Sequence, residues 1–161
     1  MKFAHCADIH IRTLKNHKQY EVVFEQFYNK LRESNPDYTV LCGDLFHSKL
    51  ILSPEAVKLA SEFLRKISVI SPLYIILGNH DLALRSIARQ DSISPIVFAL
   101  NEENINLITT SQEVFLRDKF VLNAAALSDF KNRKIPSNKD NINILLYHGP
   151  VVGCTTDNGW M

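Results

Sequence analysis

The chain alternates short apolar runs with segments in which apolar residues recur at helical spacing. Three apolar runs predict buried strands: Phe3–Ala7, Tyr38–Cys42 and Leu73–Leu77. Between them, Tyr20–Glu33 and the segment from Pro54 to about Ile67 place apolar side chains on one side of a helix. Ser53 followed by Pro54 is typical of a helix start. This order predicts βαβ units, a mainly parallel sheet and an α/β fold.

The second half of the chain has a less regular pattern. We predict a further helix over Ser94–Leu100. Three short strands are expected to form a meander: Ile105–Ile108, Val114–Leu116 and Phe120–Ala125. The polar segment Asp129–Asn141 is typical of a loop, and Ile142–Tyr147 is typical of a buried strand that ends at His148 and Gly149.

Composition describes one ordinary globular domain of 161 residues, with 46% hydrophobic and 22% charged residues. The net charge of +1 gives no global attraction to nucleic acid or membrane, although it does not exclude a local basic patch. Three cysteines without a CxxC spacing suggest neither a disulfide framework nor a thiolate zinc site. Cys6 and Cys42 are expected to be small buried hydrophobic residues of a protein from a reducing compartment. The first residues contain no long apolar segment, so we expect neither a signal peptide nor a membrane partner. The protein is expected to act in the cytoplasm, either of its own cell or of a host cell.

Polar residues with ligand chemistry follow four of the predicted strands. They are Asp8 and His10, then Asp44, then Asn79 and His80, and finally His148. Each one alone is more simply a turn or surface residue. Because ligands of open α/β sheets bind beyond the carboxyl ends of the strands, the four together favour a shared site. Asp8 and His10 are two positions apart, so in extended backbone both side chains would face one metal ion.

The residue types at these strand ends also bear on the metal. Oxygen and imidazole ligands without thiolates suit catalytic manganese, iron or zinc better than a structural zinc site. Ligands from separate strands are compatible with two ions bridged by one carboxylate. Two ions about 3.5–4 Å apart are a recurring arrangement for hydrolysis of phosphate esters.

The motifs D-x-H, G-D, G-N-H-D and strand-terminal H-G occur here in the order found in calcineurin-like metallophosphoesterases, and the chain resembles that superfamily. The stretches KFAHCADIHI and CGDLFH most resemble the nuclease subunit of bacterial and phage SMC-type ATPase–nuclease complexes. The resemblance is specific up to Asp81 and looser beyond it. It implies a layered α/β/β/α sandwich. It also implies a metal-dependent DNA exonuclease or endonuclease that acts in DNA repair or recombination with an SMC-like ATPase as partner.

The resemblance further implies a role for each ligand. Asp8 and His10 would bind the first metal ion, and Asp44 would bridge both ions. Asn79 and His148 would bind the second ion. Two divalent ions are therefore expected as cofactors, with manganese favoured and iron, zinc or magnesium as alternatives.

Three residues beside the ligands would act on the substrate by the same resemblance. His80 would contact the phosphate and protonate the leaving oxygen, Asp81 would orient His80, and His47 would help to place the scissile phosphate. Three cations that follow the first motif would contact DNA phosphates, although a solvated charged loop is an equal interpretation: Arg12, Lys15 and Lys18.

The chain departs from the family pattern after His148. Family members continue with a G-H-x-H motif whose histidines complete both metal sites, and this sequence reaches Met161 without it. We therefore expect residues 1–161 to be the N-terminal part of a nuclease domain that lacks its C-terminal side, its capping domain and its ATPase-binding tail. An open sheet edge would then favour a homodimer. The alternatives are a naturally short member, a phosphatase or cyclic-nucleotide phosphodiesterase, and a catalytically incomplete docking module.

Overall fold

A computed structural model describes residues 1–48, 51–83, 89–151 and 153–154. The helices are α1 (His17–Ser34), α2 (Pro54–Ile70) and α3 (Ser94–Leu100), and a 3₁₀ helix covers Leu127–Asn132. The strands are β1 (Phe3–Cys6), β2 (Tyr38–Cys42), β3 (Leu73–Ile76), β4 (Ile105–Ile108), β5 (Gln112–Phe115), β6 (Phe120–Ala125) and β7 (Ile142–Tyr147). Within the described ranges, no helix combines the length and the apolar character that crossing a membrane requires.

The helix boundaries follow from local chemistry. The Ser53 hydroxyl accepts a hydrogen bond from the Ala56 backbone amide at 3.2 Å, with Pro54 as the first helical residue, so the predicted start of α2 is confirmed. Helix α1 is capped at its C-terminus by Asn35, which adopts a left-handed φ of 45°. The Asn35 amide donates to the Leu31 and Arg32 carbonyls of the last helical turn. Each helix therefore begins or ends at a residue whose side chain or backbone satisfies the unpaired groups of its terminus.

Strands β1–β4 form one sheet in chain order, and every neighbouring pair is parallel. The expected meander is therefore wrong for Ile105–Ile108, which pairs in parallel with β3 through the Leu73–Ile105 register. The physical reason is that helix α3 lies between β3 and β4, so the chain crosses back over the sheet before it pairs.

Strands β5–β7 form a second sheet. Strands β5 and β6 are an antiparallel hairpin whose turn places Asp118 and Lys119 at φ 56° and 64°. Strand β7 then pairs with β6 in parallel, so the segment between them is a crossover connection. The beginning of the segment predicted as a loop, Asp129–Asn141, lies in the 3₁₀ helix over Leu127–Asn132.

The first sheet packs on both faces. On one face the helices form an aromatic core in which the Phe24 and Phe63 rings are 4.2 Å apart. On the other face Val40 and Ile76 pack against Leu122 of the second sheet. The α/β fold is confirmed, and the described residues form three of the four layers of the expected sandwich, in the order α/β/β.

The two cysteines of the first sheet behave as small hydrophobic residues. Cys42 is buried and Cys6 is half-buried. Burial raises the pKa of the Cys6 thiol to about 12 and that of the Cys42 thiol to about 11. Both thiols therefore stay protonated near neutral pH and are poor nucleophiles.

Replacement of Phe63 tests the helix-side core. We expect Phe63→Ala to lower the free energy of unfolding by about 3–5 kcal/mol, because the 1% exposed ring leaves a cavity among aromatic neighbours. Phe98, which is 86% exposed, offers a matched control, and Phe98→Ala should change stability little. Urea denaturation followed by circular dichroism measures both, and equal losses in the two variants would contradict this packing.

Candidate metal centre

The segments that follow β1 and β2 run side by side at the carboxyl edge of the first sheet. The Asp8 amide donates to the Gly43 carbonyl at 3.2 Å, and the His10 amide donates to the Asp44 carbonyl at 3.0 Å. The pairing continues beyond the strands, where the Ile11 amide donates to the Leu45 carbonyl at 2.9 Å. Backbone bonds therefore hold the first two ligand motifs together without help from a bound ion.

Three of the proposed ligand residues adopt left-handed backbone conformations. The φ angles are 56° for Asp8, 52° for His10 and 56° for Asp44. Such angles are uncommon for residues other than glycine and are often found at functional sites. Our expectation that Asp8 and His10 share a face through extended backbone is wrong, because both lie beyond the end of β1 and have left-handed backbone angles.

The Asp44 carboxylate lies between two imidazoles. Its Oδ2 atom is 3.6 Å from His10 Nε2 and 3.3 Å from His148 Nε2. His10 Nε2 is also 3.5 Å from Asp8 Oδ1. The other carboxylate oxygen of Asp44, Oδ1, accepts a hydrogen bond from the His80 backbone amide at 2.8 Å. Residues from the ends of β1, β2, β3 and β7 therefore converge on one buried carboxylate.

The backbone of β2 orients the His148 ring. His148 Nδ1 donates to the Cys42 carbonyl at 2.7 Å, which directs Nε2 towards Asp44. The bond with Asp44 outweighs burial and raises the pKa of His148 to about 9. Burial alone would raise the pKa of Asp44, but the hydrogen bonds from His148 and from the His80 amide lower it. Without a metal ion, these two side chains form an ion pair at neutral pH.

Two glycines make room for this convergence. A Cβ atom at Gly43, where φ is 80°, would lie 2.7 Å from the Gly78 Cα atom and 2.7 Å from His148 Cγ. A Cβ atom at Gly78 would lie 2.1 Å from Asp44 Oδ1. Gly78 is therefore required for the close approach of the Asp44 carboxylate.

Asp81 lies beneath the site and is fully buried. Its carboxylate accepts hydrogen bonds from the Asp44 amide at 2.8 Å and the Gly78 amide at 2.9 Å. The Leu45 and Phe46 amides add bonds of 3.1 and 3.4 Å. Desolvation exceeds the effect of these bonds and raises the pKa of Asp81 to about 6. Asp81 therefore joins the loops that follow β2 and β3.

The role of Asp81 in orienting His80 stays a prediction, since the hydrogen bonds described for its carboxylate come from backbone amides. His80 Nδ1 instead bonds to the His47 carbonyl at 2.7 Å, so the loop after β2 orients this imidazole. The His47 ring stacks near that of His80, with centroids 5.7 Å apart, and the positive charge of Arg12 is the main cause of a lowered pKa at His47. Asp81 is linked to the turn that carries His80 through the backbone of Gly78.

The remaining candidate residues lie around the same edge. Asn79 is half-buried in the turn between Gly78 and His80. Three cations that follow the first motif are exposed, two before α1 and one in its first turn: Arg12, Lys15 and Lys18. Tyr20 was not among the predicted site residues, although its hydroxyl donates to the His10 carbonyl at 2.6 Å. The carbonyls that accept from His80 and His148 could not be predicted either, because a backbone carbonyl has no signal in the sequence.

The donor set fits a divalent metal ion. Asp8, His10 and Asp44 each contribute one ligand atom, and these three atoms lie within 4.8 Å of one another. His10 Nε2 faces both carboxylates, 3.5 Å from Asp8 Oδ1 and 3.6 Å from Asp44 Oδ2, so one ion placed between them would contact all three side chains. Carboxylate and imidazole donors together suit manganese, iron or zinc.

Comparison with known proteins identifies the family. The profile of the calcineurin-like phosphoesterase family, Metallophos, matches residues 1–160. The chain therefore belongs to the calcineurin-like phosphoesterases, a family of divalent-metal hydrolases. The site described above lies at the motifs by which the chain resembles this family.

Two relatives and one solved structure illustrate the similarity. The "Uncharacterized protein R555" of Acanthamoeba polyphaga mimivirus is 33% identical over 172 aligned residues, which cover 97% of this chain and 12% of that protein. The "DNA double-strand break repair protein Mre11" of Archaeoglobus fulgidus is 38% identical over 96 residues, which cover 55% of this chain and 21% of that protein. The Pseudomonas putida nuclease MPE is 21% identical with a TM-score of 0.47, over 74% of this chain and 52% of that one.

Replacement of Asp81 tests its role in holding the loops. We expect Asp81→Asn to lower the free energy of unfolding by about 2–3 kcal/mol, since the buried amide group cannot accept all four N–H bonds and brings donors of its own. Asp140→Asn, at an exposed position, is the control and should be neutral. Urea midpoints measure the difference, and an unchanged midpoint in Asp81→Asn would show that the loops do not depend on this carboxylate.

The Asp44–His148 pair predicts a pH-dependent stability in the metal-free protein. The pKa of His148 is raised in the folded state, so its stabilisation is complete below the unfolded pKa of about 6.5 and is lost as pH rises through about 9. Relative to His148→Gln, the wild type should lose about 2–3 kcal/mol of unfolding free energy over that interval. Urea denaturation with a chelator present tests this, and a pH-independent difference between the proteins would refute it.

Proposed function

We propose that this chain is the catalytic region of a metal-dependent DNA nuclease that hydrolyses phosphodiester bonds by a two-metal mechanism. The main observation is the position of the Asp44 carboxylate between His10 and His148, because one bridging carboxylate is what a pair of ions needs. Membership of the phosphoesterase family and the 38% identity with an archaeal DNA double-strand break repair protein support a nuclease. The proposal includes a role in DNA repair or recombination.

The ligand roles follow from the convergence of the strand ends. Asp8 and His10 would hold one ion with Asp44, and Asn79 and His148 would hold a second ion with Asp44. Manganese is the proposed metal, because oxygen and imidazole donors are mixed in the set. Bound ions supply Lewis acidity towards the phosphate and lower the pKa of water. The chain contributes a preformed arrangement in which backbone bonds already hold Asp44, His80 and His148.

His80 is the proposed general acid. One ring nitrogen, Nδ1, is bonded to the His47 carbonyl, so Nε2 is left to hold a proton for the leaving oxygen. The His47 ring is exposed beside it and would contact the same phosphate. The pKa of His47 is lowered by the charge of Arg12 and by its histidine neighbours, which keeps this imidazole largely neutral at pH 7.

The partners belong to the proposal as well. DNA phosphates would meet the exposed cations that follow the first motif: Arg12, Lys15 and Lys18. The resemblance of KFAHCADIHI and CGDLFH to nuclease subunits is the reason for proposing an SMC-like ATPase as partner. The unpaired cysteines of the first sheet support a reducing compartment, the cytoplasm, as the place of action. Ile142 and Leu145 of β7 are 52% and 68% exposed, which supports association, including a homodimer, at this strand.

A nuclease assay tests the proposal. With manganese and linear DNA, we expect hydrolysis that falls by about 100-fold or more in His80→Ala, because a positioned general acid contributes about that much. His5→Ala is the matched control, since His5 is exposed on β1 outside the cluster, and it should keep full activity.

Other outcomes of the same assay separate the alternatives. Hydrolysis of mononucleotide esters with indifference to DNA would replace the nuclease by a phosphatase or cyclic-nucleotide phosphodiesterase. Metal binding without hydrolysis of any ester would overturn the enzymatic proposal and favour a docking module.

A further inference from the structure

Three histidines at the carboxyl edge of the first sheet form a second group of metal donors. One ring nitrogen each from His10, His47 and His80 lie within 4.8 Å of one another. We propose that these three side chains form an inhibitory site for zinc or a similar nitrogen-preferring ion. The site is distinct in composition from the carboxylate centre, although both contain His10.

The ring geometry is close to that of a three-histidine site. The His10 ring centroid lies 4.9 Å from that of His80 and 5.6 Å from that of His47. Tetrahedral zinc with nitrogen ligands at about 2.0–2.1 Å requires nitrogen separations of about 3.3 Å. The rings must therefore move together by about 1–2 Å. Rotation of His47, whose side chain is exposed, supplies that movement without any rearrangement of the core.

Two of the three donors are already fixed in place. His80 is held through Nδ1 by the His47 carbonyl, which leaves its other ring nitrogen for a ligand. The backbone of His10 is held by the Tyr20 hydroxyl and by the Asp44 carbonyl. A site with two fixed donors and one mobile donor loses little conformational entropy when it closes on an ion.

Donor chemistry separates the two groups. The Asp8, His10 and Asp44 group offers two carboxylates and suits manganese and iron as well as zinc, whereas three imidazoles favour zinc, copper(II) or nickel over manganese. Manganese lies at the weak end of the affinity order for nitrogen donors. We therefore expect zinc to enter the three-histidine site at concentrations where manganese occupies only the carboxylate centre.

Inhibition rests on the proposed nuclease function, but binding does not. An ion held by His10, His47 and His80 removes a ligand from the carboxylate centre. It also removes the proposed general acid and its neighbour from the phosphate. Zinc should therefore oppose manganese-activated hydrolysis, and additional manganese should relieve the inhibition because the two ions compete for His10.

Cobalt(II) titration tests the site without any activity measurement. Tetrahedral nitrogen coordination gives cobalt(II) an intense visible absorption, whereas carboxylate-rich octahedral coordination gives a weak one. We expect an intense band in the wild type that zinc removes, that Asp8→Asn retains and that His47→Ala abolishes. His5→Ala is the matched control, because it removes an exposed imidazole outside the cluster, and it should keep the band.

The variants that decide the result lie at exposed positions, so folding is not at risk, and circular dichroism verifies it. Absence of an intense band in the wild type would overturn the proposal. Retention of the band in His47→Ala together with its loss in Asp8→Asn would place the ion in the carboxylate centre and would also overturn it. If the band behaves as expected but no DNA is hydrolysed, the proposed nuclease function fails while the zinc site stands.

Discussion

The buried carboxylate of Asp81 is the interaction on which the rest of the site depends. An ionised side chain that is removed from water needs several hydrogen bonds to remain charged, and Asp81 obtains them from the amides of Asp44, Leu45, Phe46 and Gly78. These amides belong to the segments that follow β2 and β3. One carboxylate therefore fixes the distance between two loops that have no regular secondary structure of their own at these positions. The same two segments approach so closely that an added Cβ atom at Gly43 would collide with Gly78 and one at Gly78 would collide with the Asp44 carboxylate.

The two carboxylate oxygens of Asp44 have different roles, one structural and one as a candidate metal ligand. Oδ1 accepts the His80 amide and keeps the loop after β3 in place, while Oδ2 faces His10 and His148. Because the structural bond is made to Oδ1, a metal ion can bind Oδ2 without displacing it. The Cys42 carbonyl orients His148 in the same way through Nδ1. Outer bonds of this kind position a ligand before the ion arrives and raise its basicity.

Much of the architecture could be predicted from the sequence, because apolar runs and helical spacing are local signals. The bounds of β2, β6 and β7 match the predicted strands, and the bounds of α3 match the predicted helix. The parallel pairing of β4 could not be predicted, since strand partners are decided by packing across the whole domain.

At the site, residue types and strand ends were enough to bring Asp8, His10, Asp44 and His148 into one hypothesis, and the structure places these four side chains together. The left-handed backbone angles of Asp8, His10 and Asp44 were not predictable, and neither was the bond from His148 to the Cys42 carbonyl. Both depend on backbone groups that every residue shares. The partners of Asp81 were missed for the same reason.

The bond between His148 and the Cys42 carbonyl joins residues that are 106 positions apart in the chain. The pairs within the first sheet need only the crossover helices between successive strands, so they can form early during folding. The position of His148 depends on the second sheet, because His148 directly follows β7, which pairs with β6. Closing a loop of this length adds an entropic cost that local pairs do not have. Ion-binding competence should consequently be among the last properties that the folding chain acquires, well after its helices and first sheet are native-like.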